Sequence, residues 1–82
     1  RRLLERISIN PQICGGRPCI KGHRITVEQV LDFLASGVAP EELCRERYFP
    51  TLTPDDIRAC IAFANQLLRS EEIHFFEELA AS

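Results

Sequence analysis

Helix-start signals at three positions constrain the fold of this chain more than any other feature of its sequence. Thr26 is followed three residues later by Gln29, the spacing of a capping box, in which each side chain binds the backbone amide of the other residue. Pro40 suits the first position of a helix, and Thr53 precedes Pro54 in a second capped start. The sequence therefore predicts helices that begin after Thr26, at Pro40 and after Thr53.

Apolar residues follow the first and third starts at helical spacing, and Gly37 and Pro50 end the first two helices. After Ser70 we expect a separate, acidic helix over residues 71–80. Short β-favouring pieces between residues 6 and 25 predict a hairpin that turns at Lys21 and Gly22. The predicted fold is mainly α: a short N-terminal β-hairpin region (6–25), a three-helix, helix-turn-helix-like core (26–70) and a C-terminal helix (71–82).

The length of 82 residues fits a single domain with a thin core, residues 1–82. We therefore expect a homodimer, with N-terminal strands paired across two chains. No apolar run is long enough to span a membrane, and no secretion signal is visible, so we expect a cytoplasmic protein with its four cysteines reduced.

Charge is distributed unevenly along the chain. Residues 1–24 carry six basic residues and one acidic residue, whereas the remainder carries four basic and eleven acidic residues. This polarity indicates two surfaces, one suited to phosphates and one to a basic protein, although solvated charge alone also explains it.

The candidate DNA-binding residues are four cationic or titratable side chains near the glycines of the hairpin region: Arg17, Lys21, His23 and Arg24. An alternative is that Arg24 pairs with Glu28 and that the glycines only permit positive φ. The third helix begins with two aspartates, which repel phosphates, so an orthodox recognition helix is not expected there. We expect DNA to contact the basic hairpin or the N-terminal arm, which carries Arg1, Arg2 and Arg6, instead of that helix.

Enzymatic and metal chemistry find little support in the sequence. Cys14, Cys19 and His23 have no common zinc-site spacing, and we expect no metal and no cofactor. Arg69 and His74 resemble a ribonuclease pair, but five positions along one helix point about 140° apart. We therefore predict that the chain is not an enzyme.

The acidic terminal segment carries apolar residues among its glutamates. The candidate partner-binding residues are Ile73, Phe75, Phe76 and Leu79. They either enter a groove of a basic partner or cover the three-helix core, and the sequence leaves both open.

Residues 10–27, with Gly16-Arg17-Pro18 and the run from Gly22 to Val27, resemble the opening signature of the family called domain of unknown function 433. Residues 40–43, 48–50 and 56–59 are similar to its second block. The resemblance implies a homeodomain-like helix-turn-helix core and a role as the antitoxin of a bacterial toxin-antitoxin pair, often beside a PIN-like nuclease.

The functional hypothesis is a non-catalytic, DNA-binding, antitoxin-like module that binds its own operator and masks a PIN-like nuclease toxin. The alternative is a protein-interaction adaptor without nucleic-acid binding.

Overall fold

A computed structural model describes the backbone of residues 2–81 and the side chains of residues 2–70. Two short 3-10 helices, Leu3–Arg6 and Cys14–Gly16, accompany two strands, β1 (Ile7–Ser8) and β2 (Cys19–Ile20). Three α-helices follow: α1 (Val27–Ala35), α2 (Pro40–Leu43) and α3 (Pro54–Ala81).

The expected fold class is wrong in its helices. Within residues 2–81 there are three α-helices, not a three-helix core followed by a separate fourth, because α3 runs without interruption through Ser70 to Ala81. Between Asp55 and Ala81 the sequence has no glycine or proline, and serine alone does not break a helix. The second helix is a single turn of four residues. Ala39 provides no side-chain cap for it, and Pro50 lies beyond its end.

The two strands form a small antiparallel sheet in which Ile7 lies opposite Ile20 and Ser8 opposite Cys19. The chain does turn at Lys21 and Gly22, but β2 pairs regularly with β1 and has only an isolated bridge, from Cys19 to Thr26, beyond that turn. Two-residue strands leave the N-terminal region dependent on the helices that cover it.

The start of α1 confirms the predicted capping box. Thr26 Oγ1 accepts a hydrogen bond from the Gln29 amide at 3.0 Å, and Gln29 Oε1 accepts one from the Thr26 amide at 2.9 Å. At the other end Gly37 adopts a φ of 103°, a left-handed conformation that glycine reaches without a Cβ penalty.

One core joins the sheet to all three helices. Its buried side chains are Ile20, Val27, Val30, Leu43, Leu52, Ile57 and Cys60. Phe33 packs edge-on against Tyr48 and Phe49, with ring centroids 5.1 and 5.8 Å apart, and so closes the core beside the loop after α2.

The four cysteines are free thiols. Burial and, to a lesser extent, the nearby Asp56 carboxylate together raise the pKa of the Cys60 thiol to about 12, so this residue behaves as a small apolar core side chain. Among the described residues, no helix is both long and apolar enough to cross a membrane.

Candidate nucleic-acid interface

The turn from Ile20 to Ile25 presents Lys21, His23 and Arg24 in a fixed backbone conformation. The His23 amide donates to the Ile20 carbonyl, and the Ile20 amide donates to the Ile25 carbonyl, both at 2.9 Å. Gly22 has a φ of 82°, which suits the left-handed position that this turn requires. The backbone therefore holds these side chains at a defined place on the surface.

One further hydrogen bond anchors this turn to the N-terminal 3-10 helix, and another lies within the turn. The Lys21 amide donates to the Arg6 carbonyl at 2.7 Å. His23 Nδ1 lies 3.1 Å from the Lys21 carbonyl oxygen, which accepts a hydrogen bond when that nitrogen is protonated. The turn, the 3-10 helix and the start of α3 enclose an open cleft of about 820 Å³.

Charges of both signs line this cleft. The basic and titratable side chains are Arg2, Arg6, Lys21 and His23, and the acidic ones are Glu5, Asp55 and Asp56. Arg6 is occupied within the protein, because its Nη1 donates to Asp56 Oδ1 at 3.0 Å and its Nη2 lies 3.7 Å from Asp55 Oδ2. Within residues 2–70, Arg2 and Lys21 have no carboxylate within ion-pair distance and so remain for an external anion.

Asp56 caps the start of α3 through hydrogen bonds to other residues of the chain. Its Oδ2 accepts from the Thr53 amide at 2.9 Å, and Thr53 Oγ1 accepts from the Asp56 amide at 3.3 Å, so the pair forms a capping box. Burial of this carboxyl acts to raise its pKa, but the hydrogen bonds from Thr53 and Arg6 outweigh burial and lower the pKa. The Asp56 carboxylate therefore already occupies the N-terminus of α3, the end of the helix that favours negative charge.

The four predicted DNA-binding residues do not lie at one place on the surface. Lys21 and His23 line the cleft, whereas Arg17 lies on a different groove, with its Nη1 3.4 Å from Glu28 Oε1. Arg24 is exposed and lies near Cys14. Burial raises the pKa of the Cys14 thiol and Cys19 adds to this, while Arg24 opposes the rise. Glu28 pairs with Arg17, and not with Arg24 as the alternative supposed.

One feature of the site was not predicted: Arg6 pairs with Asp56, a residue 50 positions away, and no sequence signal links the two. Arg2 shares the cleft with Lys21, which agrees with the cluster of positive charge in residues 1–24. The predicted partner-binding residues Ile73, Phe75, Phe76 and Leu79 lie outside the described side chains.

Within the part of the chain whose side chains are placed, no three His, Cys, Asp or Glu residues come close enough together to hold an ion. The site is thus a surface of exposed basic side chains beside the start of α3, where Arg6 pairs with both aspartates.

Residues 7–64 match the family described as protein of unknown function, DUF433. The chain belongs to the DUF433 family. The expected family membership is confirmed, and the match ends where α3 passes residue 64. The structure is also similar to the crystal structure of a DUF433 member protein from Anabaena variabilis. The two share 27% identity with a TM-score of 0.71, over 89% of this chain and 70% of the other. No curated protein matches the chain.

Proposed function

We propose that this DUF433 chain is a non-catalytic, DNA-binding module of the antitoxin type. The observation that carries the proposal is the exposed turn with Lys21 and Arg24. In residues 2–70 neither side chain has a carboxylate within ion-pair distance, whereas Arg17 and Arg58 each have one and Arg6 has two. Exposed cations on a fixed backbone are suited to phosphate oxygens, because little ordering is needed on binding.

The start of α3 is a poor candidate for the DNA contact. Asp55 and Asp56 place negative charge at that helix end, and Asp56 is only 5% exposed and already bonded to Thr53 and Arg6. Phosphate approaching there meets carboxylates. The proposed contact is therefore the Lys21–Arg24 turn, assisted by Arg2 on the same cleft.

The proposal predicts salt-sensitive binding of the full chain to a labelled duplex of about 30 base pairs taken from upstream of its own gene. Replacing both Lys21 and Arg24 by alanine should weaken binding about 10-fold at about 100 mM salt. It should also reduce the slope of log K against log salt by about 2, one for each lost phosphate contact. Fluorescence anisotropy at about 50 and 200 mM salt measures both quantities.

The matched control is Arg69→Ala, which removes an exposed cation of α3 far along the chain from the turn. It should leave affinity and salt slope nearly unchanged. Equal losses in both variants would indicate nonspecific attraction to the whole chain, and no binding by the unaltered protein at micromolar concentration would reject the DNA role.

The second part of the proposed function is masking of a PIN-like nuclease by the acidic terminal segment. Support comes from the family resemblance and from sequence, since residues 71–82 carry four glutamates, no lysine or arginine, and Ile73, Phe75, Phe76 and Leu79. Removing residues 71–82 should abolish neutralisation of a neighbouring nuclease gene product when the two are co-expressed, while turn-dependent DNA binding persists. Survival equal to that with the full chain would contradict masking.

A protein-interaction adaptor without nucleic-acid binding is the second candidate. It is favoured by the apolar surface between α1 and α3, where Leu67 and Leu68 are more than half exposed. The anisotropy experiment separates the two candidates, because an adaptor shows no response to loss of Lys21 and Arg24.

A further inference from the structure

An apolar surface lies where α3 crosses α1. We call it the α1–α3 face and define it by Leu31, Ile61, Ala64, Leu67 and Leu68. Two adjacent grooves of about 400 and 430 Å³ share Leu31 and Ala64. Ile61, Leu67 and Leu68 are 47%, 54% and 64% exposed and account for three of the four exposed large apolar side chains among the described residues. Their clustering marks an interaction surface.

The α3 side of this face is an uncharged stretch of sequence. From Ala59 to Leu68 there are ten consecutive uncharged residues, bounded by Arg58 and Arg69. A helix that faces water normally carries charged side chains on its exposed side. Residues 65–70 are nonetheless all exposed, so the other described side chains do not cover this part of α3.

We propose that the α1–α3 face binds a second copy of this chain, with the two α3 helices antiparallel. Ile61, Asn65 and Leu68 follow one another at spacings of four and three residues and so lie on one side of the helix. A two-fold axis near Ala64 and Asn65 places Ile61 of each copy beside Leu68 of the other. The small side chain of Ala64 in the middle permits close approach of the helices, and the surface is complementary to itself.

The flanking charges favour the antiparallel direction. In this register position 58 of one copy lies beside positions 71 and 72 of the other, and the sequence has arginine at 58 and glutamate at 71 and 72. Arg58 is 66% exposed in its side chain and makes one hydrogen bond, to Asp55, which leaves further guanidinium donors for a second carboxylate. A parallel pair would instead set Arg58 against Arg58.

The strands offer less to a second copy than the sequence suggested. β2 already pairs with β1 on one side and is bridged to Thr26 on the other, and each strand is only two residues long. A dimer through the N-terminal strands would gain few backbone hydrogen bonds. The dimer proposed here therefore uses the helices, and it does not depend on the proposed DNA binding.

Sedimentation equilibrium of the full chain between about 1 and 300 μM tests the proposal. The unaltered protein should be a dimer that dissociates on dilution. Leu68→Lys should raise the dimer dissociation constant at least 100-fold, on the order of a lost hot-spot residue in each copy. Ile9→Lys is the matched control, because Ile9 is similarly exposed at 61% but lies after β1, and its dimer should be unaffected.

A charge exchange tests the direction of the helices and remains informative if Leu68→Lys fails to fold by circular dichroism. Arg58→Glu should weaken the dimer about 10-fold, and adding Glu71→Arg with Glu72→Arg should restore it. A monomeric unaltered protein, a dimer that tolerates both Leu68→Lys and Arg58→Glu, or a dimer weakened equally by Ile9→Lys would overturn the proposal. A triple variant no tighter than Arg58→Glu alone would overturn the antiparallel register.

Discussion

Among the residues of α3 whose side chains are described, an inner half (residues 54–60) and an outer half (residues 61–70) differ sharply in their surroundings although they belong to one helix. In the first half Asp56, Ile57, Ala59 and Cys60 are buried, and the helix contacts α1, α2, β1 and the N-terminal 3-10 helix. From residue 65 to residue 70 every side chain is exposed. Backbone hydrogen bonding is continuous across this boundary, so the limit of the folded core is not a limit of the helix.

Apolar spacing in a sequence identifies one face of a helix but does not indicate what covers that face. Ile57 and Ile61 are successive members of the same stripe, yet Ile57 is 1% exposed and Ile61 is nearly half exposed. Isolated helices are marginal in water, and most helical stability comes from packing. The outer half therefore gains its stability from its continuity with the inner half and, as proposed above, from a second copy.

The largest expected loss of stability would come from removing a buried side chain from the inner half of α3. Ile57→Ala removes a fully buried side chain from the shared core and should lower the free energy of unfolding by about 3 kcal/mol. Leu68→Ala, in the outer half, should change it by less than about 0.5 kcal/mol when dilute protein is monomeric. Urea denaturation at submicromolar concentration measures both. Similar losses from the two substitutions would mean that the outer half is packed and that the contrast is false.

The sequence predicted the start of α3 correctly but not its continuation past Ser70. Its start at Thr53 and Pro54 was predicted because the cap is a local signal, and the Thr26 capping box of α1 was predicted for the same reason. The predicted break at Ser70 was wrong, since a change from apolar to acidic composition is a change of surface and not of backbone preference. The single-turn length of α2 was also missed.

The candidate site was predictable only in part. Lys21 and His23 are close in sequence and share the cleft, as a turn at Gly22 allows. Arg17 was grouped with them by sequence distance but lies on another groove, because strand β2 stands between it and the turn that carries Lys21. The Arg6 to Asp56 pair joins the two ends of the core, and no local pattern reports such a contact.

A smaller effect is expected at the very start of α3. Asp56→Asn keeps an oxygen for the Thr53 amide but loses the charge that faces Arg6 and the positive end of the helix. It should lower the free energy of unfolding at pH 7 by about 1 to 2 kcal/mol, less than the loss at Ile57. Asp55→Asn is the control, because that side chain is about half exposed and should cost about 0.5 kcal/mol or less.

A fall in pH should distinguish the contribution of Asp56 to stability from that of Asp55. It therefore tests whether the inner half of α3 is tied to the rest of the core. The pKa of Asp56 is lowered in the folded protein from its ordinary value of 3.8. Its carboxylate therefore contributes stability that is fully present above that value and is lost as pH falls through the folded pKa. Urea denaturation from about pH 6 to pH 2 should show the unaltered protein and Asp55→Asn losing stability in this window, with a shallower loss for Asp56→Asn. If all three profiles have the same slope, the Arg6 to Asp56 contact does not hold the two ends of the core together.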